Sequence, residues 1–132
     1  MAAGFVFTPV RNEFPMDRSL RLHESYDVKQ TRSRGKSGAS GPLVARVLPN
    51  ELEPARNRYT VVAGKKVGKA HERNRCKRVT REALRLMHPV LRQGYDVVVI
   101  IRGGVDELTG RDVAERSLGE IFRKTGLLAR EQ

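Results

Sequence analysis

The spacing of apolar residues changes along the chain, and each change marks an element. In "PLVARVL", residues 42–48, Leu43, Ala45 and Val47 alternate with Val44, Arg46 and Leu48. This is the two-residue repeat of a strand, and it puts Arg46 on the face away from Leu43. "RYTVVAG" at 58–64 predicts a second strand, and the polar "PNELEPARN" between the two predicts a hairpin. "YDVVVIIR" at 95–102 is apolar at five consecutive positions, as expected of a strand covered on both faces. From Ala70 to Met87 the repeat lengthens, and Cys76, Val79, Ala83 and Leu86 form the apolar stripe of a helix. His88 and Pro89 close that helix, because the residue before a proline is pushed out of the helical region. Val113, Leu118, Ile121 and Phe122 are the stripe of a last helix, opened by a Thr109–Asp112 capping box and stopped by Gly126.

The N-terminal part carries a weaker pattern. Leu22 and Tyr26, four apart, predict a helix over Leu20–Arg34 that stops at Gly35, with "KSGASG" as a flexible loop. Residues 1–17 show no period and read as an irregular arm, with Phe5, Phe7 and Phe14 as candidate anchors. The expected order is α, β, β, (β), α, β, α. This is one α+β domain, residues 18–128, with two helices packed on a small sheet and a short tail at 129–132.

Charge changes this picture from a fold to a partner. The chain of 132 residues has a formal net charge of +11. Such self-repulsion favours an anionic partner, of which a phosphate backbone is the commonest. Much of the charge lies in "KKVGKAHERNRCKRVTREALR", residues 65–85, where nine cations (Lys65, Lys66, Lys69, Arg73, Arg75, Lys77, Arg78, Arg81 and Arg85) face two acids (Glu72 and Glu82). Arg73, Lys77, Arg81 and Arg85 stand at four-residue steps, about 6 Å apart along a helix, and predict one positive ridge with phosphate-like spacing. The loop lysines extend that surface to the helix N-terminus, itself favourable to anions, and the amide of Asn74 can both donate and accept.

Other chemistry is poorly supported. Gly64 and Gly68 have three intervening residues and Lys69 is followed by Ala70, which is not the spacing of a phosphate-cradling nucleotide loop. Cys76 is the one cysteine, and His23, His71 and His88 lack metal-ligand spacing, so a reducing compartment is expected. The opening "MAAGFVFTPVR" is not a secretory signal and "VVVII" is far short of a membrane span, so the expectation is a cytoplasmic protein with no membrane partner. A membrane-docking amphipathic helix would need apolar residues that this helix uses for its core.

The basic stretch closely resembles the signature of the bacterial ribonuclease P protein family. Arg73-Asn74-Arg75 matches its Arg-Asn-Arg hallmark, followed by Lys77, Arg78 and Arg81 and preceded by the Lys65–Gly68 turn. "RLHESYDVKQ" resembles the family's first helix, "YDVVVIIR" its last strand and "RSLGEIFRKTGLL" its C-terminal helix, so the likeness covers about Leu20 to Leu128. The resemblance implies a single-domain two-layer α/β sandwich in which the basic helix links two parallel strands by a left-handed crossover, contrary to the usual hand. It implies a protein subunit of an endoribonuclease that removes the 5′ leader of precursor tRNA. The chemistry, dependent on Mg²⁺ bound mainly by the RNA, belongs to the catalytic RNA, and the protein has no catalytic residues of its own and no obligate protein partner. It further implies that Lys65, Lys66, Lys69, Arg73, Asn74, Arg75, Lys77, Arg78, Arg81 and Arg85 meet the catalytic RNA, while a cleft between the first helix and the sheet takes the single-stranded leader. In that cleft the family's frequent aromatics are replaced by Val28, Arg32 and Arg46. A leader cleft of Tyr26, Val28, Lys29, Arg32 and Arg46 would then depend more on cations than on stacking. The alternative on composition alone is a general RNA-binding protein or RNA chaperone without a dedicated catalytic RNA.

Overall fold

A computed structural model of the chain describes residues 21–22, 25–104 and 106–128. The expected arm at 1–17, Leu20 and the tail at 129–132 lie outside the described residues. Three helices and four strands follow in the order α1 (Ser25–Arg34), β1 (Lys36–Ser40), β2 (Leu43–Pro49), β3 (Arg58–Ala63), α2 (Ala70–Met87), β4 (Tyr95–Ile101) and α3 (Arg111–Thr125), an α+β fold. The strands form one mixed sheet in the spatial order β1-β2-β4-β3.

The predicted hairpin between residues 42–48 and 58–64 does not form. β4 lies between them, antiparallel to β2 through Leu43↔Ile101 and parallel to β3 through Arg58↔Asp96. The reason is burial: Val97, Val98 and Val99 are inaccessible on both faces, and only a central position covers a strand on both faces. β2 instead pairs with β1, in the segment "KSGAS" that the sequence predicts as a flexible loop. Lys, Ser, Gly and Ala have little preference for strands, so pairing with β2 imposes this one. Gly38 makes it possible, because a Cβ there would stand 3.1 Å from the Ile121 side chain of α3.

Alternation along the strands divides the core. Leu43, Ala45, Val47, Tyr59, Val61, Val97, Val99 and Ile101 face α2 and α3, meeting Cys76, Ala83, Leu84, Leu118, Ile121 and Phe122 in one cluster. The two-helix layer expected from sequence is α2 and α3. α1 crosses β2 and β4 on the opposite face, above Val98, which is fully buried yet outside that cluster.

Other boundaries also shift. α1 begins at Ser25, not Leu20, and Leu22 is an extended, buried residue whose N–H donates to the Tyr59 carbonyl at 2.7 Å. α3 begins after Gly110 without a side-chain cap, so the Thr109–Asp112 box does not form. α2 ends at Met87, where expected.

Candidate nucleic-acid interface

The basic segment enters its helix through a tight turn. Lys65–Val67 is a single 3₁₀ turn, pinned by the buried Val67, and Gly68 follows at φ 151°, a region that side chains rarely adopt. A Cβ on Gly68 would also collide with the carboxylate of Glu72. That carboxylate accepts from the Lys69 N–H at 2.8 Å, and the Arg73 guanidinium donates to the Gly68 carbonyl at 3.1 Å. One acid at the helix start is therefore used to lock the turn that presents Lys65, Lys66 and Lys69, all exposed.

Along α2 the ridge does not run straight. A four-residue step advances 400° on a helix, so each successive cation is rotated by about 40°. Arg73, Lys77, Arg81 and Arg85 therefore wind around the helix, and all four are half-buried. The buried side is Cys76, Thr80, Ala83 and Leu84. Val79 and Leu86, assigned to the apolar stripe, are only half-buried, and Thr80 and Leu84 complete it. Thr80 is tolerated there because its hydroxyl donates to the Cys76 carbonyl at 2.9 Å. The face turned furthest outward carries His71, Asn74, Arg75 and Arg78.

Partners separate these cations by role. Among the described residues, the side chains of Lys65, Lys66, Lys77 and Arg78 make no hydrogen bond or ion pair. Arg75 reaches the Thr109 carbonyl at a long 3.4 Å, and Arg85 pairs with Glu82 at 3.4 Å. Arg81 turns instead into a cavity of about 300 Å³ that it shares with Arg21, Leu22, Tyr59, Thr60 and Leu84. Burial, and then the positive charge of Arg21, hold its guanidinium below the usual arginine range. Among the described residues no carboxylate lines this cavity. The back wall is fixed by a hydrogen-bond chain in which Asn57 donates to the Tyr59 oxygen at 3.2 Å and the Tyr59 hydroxyl shares a hydrogen bond of 2.7 Å with His88 Nδ1.

On the other face of the sheet, Tyr26, Lys29 and Arg32 are exposed on α1, Tyr26 at 69% of its surface, and Val28 is half-buried. Arg46 projects from the α1 side of β2, as the alternation requires, but its guanidinium donates to the Arg32 carbonyl at 2.7 Å. Sequence reasoning missed Asp27, Arg58 and Asp96 beside it. Arg58 grips Asp96 through two bonds of 2.9 and 2.8 Å and reaches Asp27 at 3.3 Å. The signal was Asp96, an acid at the head of an otherwise apolar central strand. Arg21 was missed because the predicted helix over Leu20–Arg34 took it in, whereas it stands ahead of α1 in a parallel bridge to Tyr59.

An α+β sandwich that displays a concentration of exposed cations on and before one helix, beside a cavity walled by two arginines, defines a polyanion-binding protein. The family model described as Ribonuclease P matches residues 16–126. The ribonuclease P protein component of Caldanaerobacter subterraneus subsp. tengcongensis is 37% identical over 111 residues, 84% of this chain and 93% of that one. That of Symbiobacterium thermophilum is 36% identical over 116 residues, 88% of this chain and 99% of its own. Among solved structures, the RNase P protein of Thermotoga maritima superposes with a TM-score of 0.67 at 28% identity, covering 85% of this chain and 98% of that one. The chain belongs to the ribonuclease P protein family: it is the protein subunit of ribonuclease P and associates with that enzyme's RNA.

Proposed function

We propose that this subunit holds two RNAs at once, the catalytic RNA of ribonuclease P against the Lys65–Arg85 face and the 5′ leader of precursor tRNA in the groove between α1 and the sheet. The observation that carries the reading is the placement of two cation-bearing surfaces on opposite faces of one sheet, α2 on one and α1 on the other. Fixed positive charge on α2 neutralises phosphates that would otherwise have to be screened by Mg²⁺, so assembly lowers the Mg²⁺ that cleavage requires. Among the described residues no group of three His, Cys, Asp or Glu side chains could hold a metal ion. In this reading the RNA holds the Mg²⁺ and performs the hydrolysis, and this chain's part is to bind and orient. Lys65, Lys66, Lys69, Asn74, Arg75 and Arg78 are the outward contacts to the catalytic RNA, Arg73, Lys77 and Arg85 flank them around the helix, and Arg81 reaches the RNA from the adjoining cavity. Tyr26, Lys29 and Arg32 face the leader across Val28. Residues 18–128 act as one domain, the site of action is the cytoplasm, and the RNA is the one obligate partner.

The test is multiple-turnover cleavage of a leader-bearing precursor tRNA by a bacterial ribonuclease P RNA at low Mg²⁺, with and without the protein. Cleavage only in its presence is expected. Tight binding to every RNA offered, with no rescue of cleavage, would replace this reading with that of a general RNA chaperone.

A further inference from the structure

Helix α1 has little hydrophobic reason to stay where it is. It has ten residues, too short to be stable alone, and its apolar side chains are Tyr26, largely exposed, and Val28, half-buried. Beyond the buried Thr31 in its middle, what fixes it to the sheet is polar and acts at both ends. In its first turn the Asp27 carboxylate meets Arg58 of β3 at 3.3 Å. Arg58 cannot swing away, because Asp96 of β4 holds it through two further bonds, and Asp96, only 4% exposed, is itself held by the Asn50 amide at 2.9 Å. In its last turn the Arg32 carbonyl, one of the groups that a helix end leaves without an internal partner, accepts from Arg46 of β2 at 2.7 Å. Both sheet arginines on this face are thus engaged with protein acceptors.

We infer that Asp27, Arg58 and Arg46 are positioning residues for the leader groove: they set the seat of α1 on the sheet and so the width of the gap that receives the strand. This rests on the reading of that groove as the leader site. A different role, in which Arg46 and Arg58 bind phosphate directly and Asp27 is a bystander, predicts the opposite sign for one substitution. Asp27→Asn removes a negative charge from a surface that meets a polyanion, which by itself tightens binding. Under the positioning role it loosens α1 and weakens binding instead.

The experiment uses holoenzyme reconstituted with a ribonuclease P RNA and compares affinity for a precursor tRNA with a long leader against the same tRNA without one. Asp27→Asn is expected to weaken leader-bearing substrate by about tenfold, with leaderless tRNA and catalytic-RNA affinity unchanged. Asp27→Glu, which keeps the charge, should restore most of the loss. Arg46→Met should lower the same affinity with the slope of log affinity against log salt intact, whereas loss of a phosphate contact would reduce that slope by about one. Unchanged or tighter binding by Asp27→Asn overturns the inference, as does loss of catalytic-RNA affinity in the same variant, which would make Asp27 a general stability residue. If the unsubstituted holoenzyme shows no preference for the leader, the groove reading itself fails, whatever Asp27 does.

Discussion

Arginine does opposite work on the two faces of this sheet. On α2, Arg78 and its lysine neighbours stand in water with no protein acceptor among the described residues, and two acids cannot neutralise nine cations. On the α1 side, Arg46 and Arg58 are each bonded to a carbonyl or a carboxylate before any ligand arrives. An unpaired guanidinium at the surface is available to phosphate at little reorganisation cost, whereas a bonded one must first give up its partner. The face with more charge is the adaptable binder, and the face with its charges engaged is the shaped one.

The contrast is broken most severely at Asp96. Asp96→Ala leaves Arg58 half-buried without its main partner and should cost on the order of 3–5 kcal/mol of folding stability, seen as an earlier urea midpoint. If stability holds, the pair is not what organises the α1 face. Arg75→Glu tests the other side: a reversed charge amid the cations should weaken binding to the catalytic RNA by about a hundredfold at physiological salt, with the circular dichroism spectrum retained. Normal RNA binding by that variant would remove the RNA-face role of α2. Arg78→Ala is milder and should lower affinity while reducing the salt slope by about one, since this side chain has no protein bond to lose.

The smallest expected effect concerns His88. Burial holds its imidazole below the ordinary histidine range, so the fold favours the neutral ring, whose Nδ1 lies 2.7 Å from the Tyr59 hydroxyl. A depressed value means that the contribution is complete above about pH 6.5 and is lost as pH falls below it. The melting temperature should therefore drop as pH falls below about 6.5, and His88→Gln should flatten that part of the curve.

The contrast also explains what could be read from sequence. α2 and its end at Met87 were legible because an 18-residue amphipathic helix carries its own pattern. β1 was not, because "KSGAS" has no strand signal until β2 lies beside it. The β2–β3 hairpin was a local inference defeated by a nonlocal fact, since β4, a doubly covered strand, takes the place between them. The ridge failed on angle: four-residue spacing suggests a line, yet the drift of each step turned Arg81 into the cavity with Arg21. The Asp27–Arg58–Asp96 triad joins three elements far apart in the chain, and no spacing rule connects them.

The placement of β4 also sets an order of events during synthesis. Among the described strands it is the last in chain order, and β2 and β3 both pair with it. Until Tyr95–Ile101 emerges, the nascent chain has the β1–β2 hairpin, a lone β3 and a finished sequence for α2, but no sheet to pack them on. A chain halted before Tyr95 would expose the cations of α2 with no core behind them. Folding of the whole domain therefore waits on the seven residues of β4, which follow α2 in the chain.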